Sequence, residues 1–332
     1  ARRGGLSKRR AAMDWSRIKR KPTSSKATPG VYVDLDDLIR IQFSSRDFSF
    51  KPQQPVSSVL SGRYGSRLRG RGLDFSELRR YLPGDDIRTM DWKVTARTRS
   101  PHVRVYTEEK DRAVLLLVDQ RQNMFFGTRD RLKSVTAAEL AALGAWRALA
   151  VGDRIGAVVF NDTDVVEFRP RRSRQTVMQI LGEVVRQNHA LAADRTVQSN
   201  PGQLNRVLER ARILAPHDVL VITISDGFGT DATTERLSAG LVEHNDLLAL
   251  LVHDPLRLDP RGPRMTVSDG SLQIDLDLSD RKVSDAIAED YRNDQEQMAH
   301  FLRRLSAPLL MISNRGDPVD QVRRLLGVPG RR

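Results

Sequence analysis

One short apolar run limits what this chain can fold into more than any other feature. Arg112 to Asp119 reads RAVLLLVD, so six consecutive apolar residues are followed at once by a carboxylate. A continuous run without polar alternation is typical of a strand that is buried on both faces of a parallel sheet. The run therefore predicts a central strand that carries Asp119 at its carboxyl end.

After this run the chain alternates between apolar segments and segments with helical spacing of apolar residues. The helical spacing predicts a helix capped by Asn200, with Pro201 in its first turn, and helices over 129–150, 174–187, 234–244 and 284–304. Strands are predicted over 153–160, 164–168, 218–225, 246–252 and 308–314, with a β excursion at 265–278. Such alternation with right-handed crossovers gives an α/β fold with a doubly wound, mostly parallel sheet of Rossmann type.

Composition divides the chain into three parts. Residues 1–30 are basic and rich in small residues, and we expect a disordered arm there. Residues 31–110 form an N-terminal subdomain that we expect to be small and either irregular or β-containing, after a short strand-to-helix element at 31–43. Residues 111–328 form the α/β domain.

The positive charge of the chain lies mostly in the arm. The net charge is +13, and Ala1–Lys26 contains ten Lys or Arg residues and one acid, so the other residues carry only +4. The excess is therefore a property of a tail and not of a folded basic face. The arm is either a solvating segment or a contact for an acidic partner, nucleic acid or an anionic membrane surface.

Several kinds of chemistry are missing from the sequence. The lack of cysteine excludes disulfides, thiolate metal sites and cysteine nucleophiles, and fits a reducing compartment. No Walker A motif is present, and the six histidines show no metal-ligand spacing. No apolar segment reaches the ~20 residues of a membrane-spanning helix, and no signal peptide is visible. We therefore expect a cytoplasmic protein, membrane-peripheral only if the arm binds lipid, and not an enzyme.

The segment 61–109 is dense in charges of both signs. Its arginines alternate with aspartates and glutamates throughout. Mixed charges at this density favour an internally ion-paired structure over a surface that tracks phosphates. Within the segment, Tyr81 and Trp92 are expected to be structural anchors whose polar tips are satisfied locally.

This segment and the strand after it resemble the bacterial family called domain of unknown function 58 (DUF58), whose core resembles a von Willebrand factor A domain. The resemblance runs from residue 31 to the C-terminus. Its matching pieces are Arg69–Gly72, Asp74–Arg79 (DF-ELR), Tyr81–Asp86 (YLPGDD), Arg88–Trp92 (R-MDW), Ala96, Arg97, Glu108, the strand to Asp119, Gly152–Gly156 (GDRIG), Ser225–Gly227 (SDG) and His253–Pro255 (HDP). The resemblance implies a von Willebrand A-like α/β domain that works with a MoxR-type AAA+ ATPase.

A von Willebrand A domain typically holds Mg²⁺ or Mn²⁺ through a D-x-S-x-S loop, a later threonine and a second aspartate, so the resemblance directs attention to these positions. The first loop here reads DQRQN from Asp119, so Arg121 and Asn123 replace both serines, while Asp226 matches the second aspartate. The position of the threonine falls on one of three other residues, namely Gly202, Gln203 or Ser199. Asp119, Asn123 and Asp226 therefore form a remnant of a metal site, for which we expect no cofactor.

Arg121 changes the chemistry of this loop. A guanidinium cannot ligate a cation, and we expect it to pair with Asp119 and Asp226 in place of a metal. Purely structural roles stay open as well, with Asp119 capping a nearby loop and Asp226 forming a turn before Gly227. A divalent-metal site with a reduced ligand set is the remaining alternative.

The function that the resemblance implies is a non-enzymatic protein–protein interaction module, an adaptor or chaperone-like partner of a MoxR-type AAA+ ATPase. Open α/β sheets bind ligands at the carboxyl ends of their strands. We therefore expect the partner to contact the loops after the first and fourth strands of the sheet, at Asp119, Gln120, Arg121, Gln122, Asn123, Asp226 and Gly227. Metal-dependent binding, or association of the basic arm with nucleic acid or a membrane, is the alternative.

Overall fold

The computed structural model describes residues 28–45, 73–83, 85–108, 112–193, 198–268 and 273–326. Its helices and strands in chain order are α1 (Leu35–Ser44), β1 (Leu73–Arg80), α2 (Trp92–Thr98), β2 (His102–Glu108), β3 (Ala113–Asp119), α3 (Lys133–Ala150), β4 (Arg154–Phe160), β5 (Val165–Arg171), α4 (Arg174–His189), α5 (Gln203–Leu214), β6 (Val219–Ser225), α6 (Ala232–Val242), β7 (Asp246–His253), β8 (Arg264–Ser268), β9 (Gln273–Asp277), α7 (Arg281–Arg304), β10 (Leu309–Ser313) and α8 (Pro318–Leu325).

The central sheet has six strands in the order β10-β7-β6-β3-β4-β5. The strands run parallel except β5, which is antiparallel to β4. This is the strand order of a doubly wound sheet, in which the connections reverse direction between β3 and β6. The predicted α/β, mostly parallel architecture is therefore confirmed, and the ends of β3 and β6 lie where the connections change direction.

Strand β3 is buried on both faces, as its apolar run predicts. Leu116 packs into one core with helices α1, α3, α4 and α8, whereas Leu115 and Leu117 pack into a second core with α5, α6 and α7. All seven residues of the strand are buried. Complete burial fixes the strand at the centre of the sheet and with it the position of Asp119.

The segment expected to be a strand-to-helix element forms a turn and then α1. Leu38 is fully buried in the core of the α/β domain, and its carbonyl accepts a hydrogen bond from the indole nitrogen of Trp146 at 3.0 Å. The amide of Val33 donates to the Asn188 side chain at 3.0 Å. Residues 31–44 thus pack with the α/β domain, although the sequence groups them with the N-terminal subdomain.

The described part of the charged segment is an antiparallel β1–β2 pair with α2. Arg79 binds Asp85 through two hydrogen bonds of 2.8 and 2.7 Å, and Arg104 pairs with Asp91. These contacts agree with the expected ion-paired structure. The prediction for Trp92 is wrong, because its side chain lies in the first turn of α2 and is 65% exposed.

Three predictions concern other parts of the chain. Nearly all of the expected basic arm, residues 1–27, lies outside the described residues. Among the helices that are described, none is both long and apolar enough to cross a membrane. The β excursion after β7 is the hairpin of β8 and β9.

Candidate functional site at the carboxyl end of the sheet

Two neighbouring strands bring the predicted aspartates to the same edge of the sheet. Val118 of β3 pairs in register with Ile224 of β6, so Asp119 and Asp226 follow at adjacent strand ends. The Ser225 hydroxyl donates to the Asp119 carboxylate at 2.7 Å. We call residues 119–123, 199–203 and 225–229 the rim.

The Arg121 side chain lies inside the rim and pairs with Asp119. Its Nη2 lies 2.7 Å and its Nε 3.0 Å from the two carboxylate oxygens, and both residues are fully buried. The guanidinium lies 5.5 Å from the Phe160 ring centre and 5.7 Å from that of Phe228. Burial acts to lower the pKa of Arg121, but the Asp119 carboxylate outweighs it and holds the pKa above its ordinary value. The expected pairing of Arg121 with Asp119 is thus observed.

Arg121 also reaches the other two segments of the rim. Its Nη2 donates to the carbonyl of Phe228 at 3.0 Å, and its Nη1 donates to the carbonyl of Asn200 at 3.4 Å. One guanidinium therefore joins the loop after β3, the loop before α5 and the loop after β6.

The expected pairing of Arg121 with Asp226 is wrong, because Asp226 binds a different cation. Lys133 of α3 donates to one Asp226 oxygen at 2.5 Å, and Asn123 donates to the other at 2.7 Å. The backbone N–H of Phe228 donates to the Asp226 carboxylate at 3.0 Å. Asp226 therefore forms a turn before Gly227, which is the structural role that the sequence left open. Burial acts to raise the pKa of Asp226, but the charge of Lys133 and these hydrogen bonds hold it at about 2.

A third aspartate, Asp162 in the turn after β4, ties backbone groups of the rim together. Its carboxylate accepts from the amide of Gln122 at 2.6 Å and from the amide of Asn200 at 2.9 Å. Behind the rim, the buried Gln120 donates to the carbonyl of Ser134 at 2.9 Å. These contacts orient the loop after β3 without using Asp119.

The prediction for the helix after Asn200 is partly wrong. Helix α5 begins at Gln203 with Gly202 at its cap, and the Asn200 amide group donates to the Asp162 carbonyl instead. Gln203 is buried and donates to the Asn161 carbonyl at 2.9 Å. None of the three positions proposed for the threonine of the metal site holds a threonine. Gly202 caps α5, Gln203 is a buried amide, and Ser199 is exposed.

These residues do not fit a divalent cation. Asp119 already accepts from Arg121 and Ser225, and both oxygens of Asp226 accept from Lys133 and Asn123. Mg²⁺ needs several oxygen ligands at short distance, and a guanidinium among them offers only donors. Within the described ranges, no group of three or more His, Cys, Asp or Glu residues is placed to hold a metal ion.

The predicted contact residues divide into two sets. Asp119, Gln120 and Arg121 are fully buried, so they cannot touch a partner, and their assignment as contact residues is wrong. The other four residues, namely Gln122, Asn123, Asp226 and Gly227, are half-buried as whole residues, although the carboxylate side chain of Asp226 is only 7% exposed. The sequence analysis missed Phe228, which is 41% exposed at the tip of the loop after β6. An aromatic residue between two glycines, in the run DGFG, is the signal that could have found it.

The two glycines that flank Phe228 fix the conformation of its loop. Gly227 and Gly229 adopt φ angles of +78° and +80°, which favour glycine. A Cβ on Gly229 would lie 2.5 Å from the Pro201 carbonyl, so the two loops are in close contact. On the other side, Met298 of α7 packs against Gly227. The aromatic ring is thus presented by a loop with little freedom to move.

The histidine of the HDP motif lies beside the rim at the end of β7. Burial lowers the pKa of His253 below its ordinary value, against the opposing effect of Asp254. Its Nδ1 is buried and has no hydrogen-bond partner among the described residues. The neighbouring Asp254 is fully satisfied, since it binds Thr128 and Asn314.

The fold and the rim together define a doubly wound α/β domain in which internal ion pairs close the edge at the carboxyl ends of β3 and β6. A family model described as "Protein of unknown function DUF58" matches residues 77–297, more than half of the chain. The chain therefore belongs to the DUF58 family, and this assignment confirms the resemblance found in the sequence.

Curated relatives and solved structures add the following similarities. The chain is 28% identical over 303 residues to uncharacterized proteins of Mycobacterium tuberculosis and Mycobacterium bovis, which covers 89% of this chain and 93% of each relative. It is similar to the conserved hypothetical protein BatB from Bacteroides thetaiotaomicron, with TM-score 0.34, 13% identity, and coverage of 59% of this chain and 98% of that one. It is also similar to a von Willebrand factor type A protein from Catenulispora acidiphila, with TM-score 0.31, 12% identity, and coverage of 68% and 43%.

Proposed function

We propose that this chain is a non-enzymatic protein–protein interaction module, and that it serves a MoxR-type AAA+ ATPase as an adaptor. The contact surface in this proposal is the rim, with Phe228 at its centre. One observation supports this choice of surface. The fully buried Arg121 donates a hydrogen bond of 3.0 Å to the backbone carbonyl of Phe228, whose residue is 41% exposed. Partner-binding surfaces typically rely on such a rigid, exposed aromatic residue.

The charges of the rim support binding over catalysis. Asp119 and Asp226, the strongest candidates for acid–base roles, are each paired with a cation, namely Arg121 and Lys133. A general base must reach the proton that it removes, but the side chain of Asp119 is fully buried and that of Asp226 is only 7% exposed. The ATPase partner is the one that the family resemblance implies.

The test measures capture of the cognate MoxR-type ATPase by the immobilised chain, with the Phe228→Ala variant beside the wild type. Truncating a central aromatic residue of an interface typically costs ≥2 kcal/mol, so we expect capture to weaken about 30-fold. Ile213→Ala is the matched control, because Ile213 is 72% exposed but lies at the far end of α5. Equal capture by wild type and Phe228→Ala would remove the rim from the interface, and no capture by wild type would remove the ATPase.

A further inference from the structure

The three segments of the rim are the same three that the family resemblance assigns to a divalent metal: the loop after β3, the loop before α5 and the loop after β6. In this chain the Arg121 guanidinium touches all three, through Asp119 at 2.7 Å, Asn200 at 3.4 Å and Phe228 at 3.0 Å. Among the described residues of the rim, no other side chain forms hydrogen bonds to all three segments.

The charge of the rim is balanced in the same way. A divalent cation would neutralise two aspartates, and here Arg121 neutralises Asp119 while Lys133 neutralises Asp226. Both cationic side chains are almost wholly buried, at 0% and 5% exposed. A buried, ionised carboxylate is costly unless it is paired with a positive charge. Arg121 and Lys133 therefore provide the positive charge that a bound metal ion would otherwise provide.

The chemistry of a guanidinium suits the groups that surround it. Arginine carries a permanent charge and presents donors in a planar fork, which matches one carboxylate and additional carbonyl oxygens. The rings of Phe160 and Phe228 lie near the guanidinium at 5.5 and 5.7 Å, where aromatic rings attract a cation.

We propose that Arg121 is an internal replacement for the divalent cation of a von Willebrand A-type site. Its guanidinium joins the three rim loops permanently, so the rim keeps one conformation whether or not divalent metal is present. Arg121 acts here as a positioning residue for Phe228 and does not touch the partner. The inference rests on the proposed function only where it assigns Phe228 to partner contact.

Two rim amides report directly on this arrangement, because each is hydrogen-bonded to an aspartate. The backbone N–H of Asn200 donates to the Asp162 carboxylate, and the backbone N–H of Phe228 donates to the Asp226 carboxylate. Their hydrogen exchange therefore measures how firmly the loop before α5 and the loop after β6 are held. Neither amide bonds to Arg121 itself, so a change in exchange reflects loop order and not the loss of that one contact.

The first measurement uses the wild-type chain with MnCl₂, MgCl₂ or EDTA. We expect no heat of binding in calorimetry and no change in exchange at either amide. Slower exchange with MnCl₂ that Asp119→Asn abolishes would overturn the proposal, because it would show that the rim takes a metal at this site.

The second measurement uses Arg121→Gln, which removes the charge and keeps a polar side chain. Hydrogen bonds to charged groups contribute about 1.5–3 kcal/mol, so we expect exchange at both amides to quicken about tenfold or more. Arg186→Gln is the control, since Arg186 pairs with Glu183 at the surface and is 52% exposed. Wild-type protection in Arg121→Gln would overturn the proposal. Neither measurement contains a partner, so they fail independently of ATPase capture.

Discussion

The carboxylate of Asp119 and the guanidinium of Arg121 form an ion pair of 2.7 Å in which neither side chain is exposed. The two residues are separated by one position in the chain, so a single loop carries both charges. Removing two charges from water is costly, and the pair is stable only while both partners are present. The pair therefore contributes mainly by fixing the geometry of the rim.

Breaking this pair is the first test of its role in stability. Asp119→Asn leaves a buried guanidinium without a counter-charge, and we expect a loss of about 3–5 kcal/mol in the free energy of unfolding. Urea unfolding followed by circular dichroism measures it. Arg186→Gln, which disrupts an exposed pair, should cost at most about 1 kcal/mol. Similar losses in both variants would contradict the assigned burial of the Asp119–Arg121 pair.

The second prediction concerns acid stability and follows from Asp226. Its pKa is about 2 in the folded chain, below the ordinary value of 3.8, because Lys133 and two hydrogen bonds outweigh the effect of burial. A carboxylate with a depressed pKa stabilises the fold above its unfolded pKa, and that contribution is lost as the pH falls toward the folded value. We expect about 2 kcal/mol to disappear between about pH 4 and pH 2.

Asp226→Asn should remove this part of the pH dependence, and unfolding midpoints measured across that range show it. The variant is less stable at neutral pH, since it leaves the buried Lys133 ammonium without a carboxylate. Asp285→Asn is the control, because Asp285 lies exposed on α7 and is 3.7 Å from Arg281. If wild type and Asp226→Asn lost the same stability on acidification, the pairing of Asp226 with Lys133 would be wrong.

The sequence predicts the strands that position the site better than it predicts which side chains pair within the site. The apolar runs predict the burial of β3 and place Asp119 and Asp226 at the ends of two strands. The parallel pairing of β3 with β6, which brings the two aspartates together, appears only in the folded chain. The pairing of Arg121 with Asp119 follows from their closeness in the chain. The spacing of Asp119 and Arg121 is local and can be read from the sequence, whereas the order of the strands appears only in the folded chain.

The missed residues are those whose role depends on distant parts of the chain. Lys133 precedes its partner Asp226 by 93 positions, and a lysine in the first turn of a helix has no local reason to be buried. Asp162 reads as an ordinary turn residue, and only the folded chain shows that it binds Gln122 and Asn200. Burial of Arg121 was missed for the same reason, since charged residues are rarely inside.

The third prediction uses two glycines with opposite surroundings. Gly229 has φ of +80° and a Cβ there would lie 2.5 Å from the Pro201 carbonyl, so Gly229→Ala strains the backbone and separates two rim loops. Gly182 lies inside α4 with nothing within 4 Å of its Cβ position. We expect Gly182→Ala to stabilise the chain by about 0.5–1 kcal/mol and Gly229→Ala to destabilise it. Thermal unfolding measures both, and equal effects would contradict the close contact at Pro201.

The last prediction tests whether α1 belongs to the core of the α/β domain. Leu38 is fully buried against α3, whereas Phe43 on the same helix is 64% exposed. Leu38→Ala should cost about 2–5 kcal/mol because it removes buried apolar surface and leaves a cavity. Phe43→Ala is the matched control and should change stability by at most about 0.5 kcal/mol.

Trp146 provides the readout for this pair of variants. Its indole nitrogen donates to the Leu38 carbonyl at 3.0 Å. The chain has three tryptophans, so Trp15 and Trp92 are replaced by Phe in the parent and in both variants. The remaining fluorescence then reports on the packing of α1 as well as on global unfolding. We expect Leu38→Ala to shift the unfolding midpoint and the Trp146 emission together, because loosening of α1 exposes the indole to water. A Leu38→Ala variant as stable as Phe43→Ala would show that α1 does not pack on the domain, and the N-terminal subdomain would then begin at residue 31 as the sequence suggests.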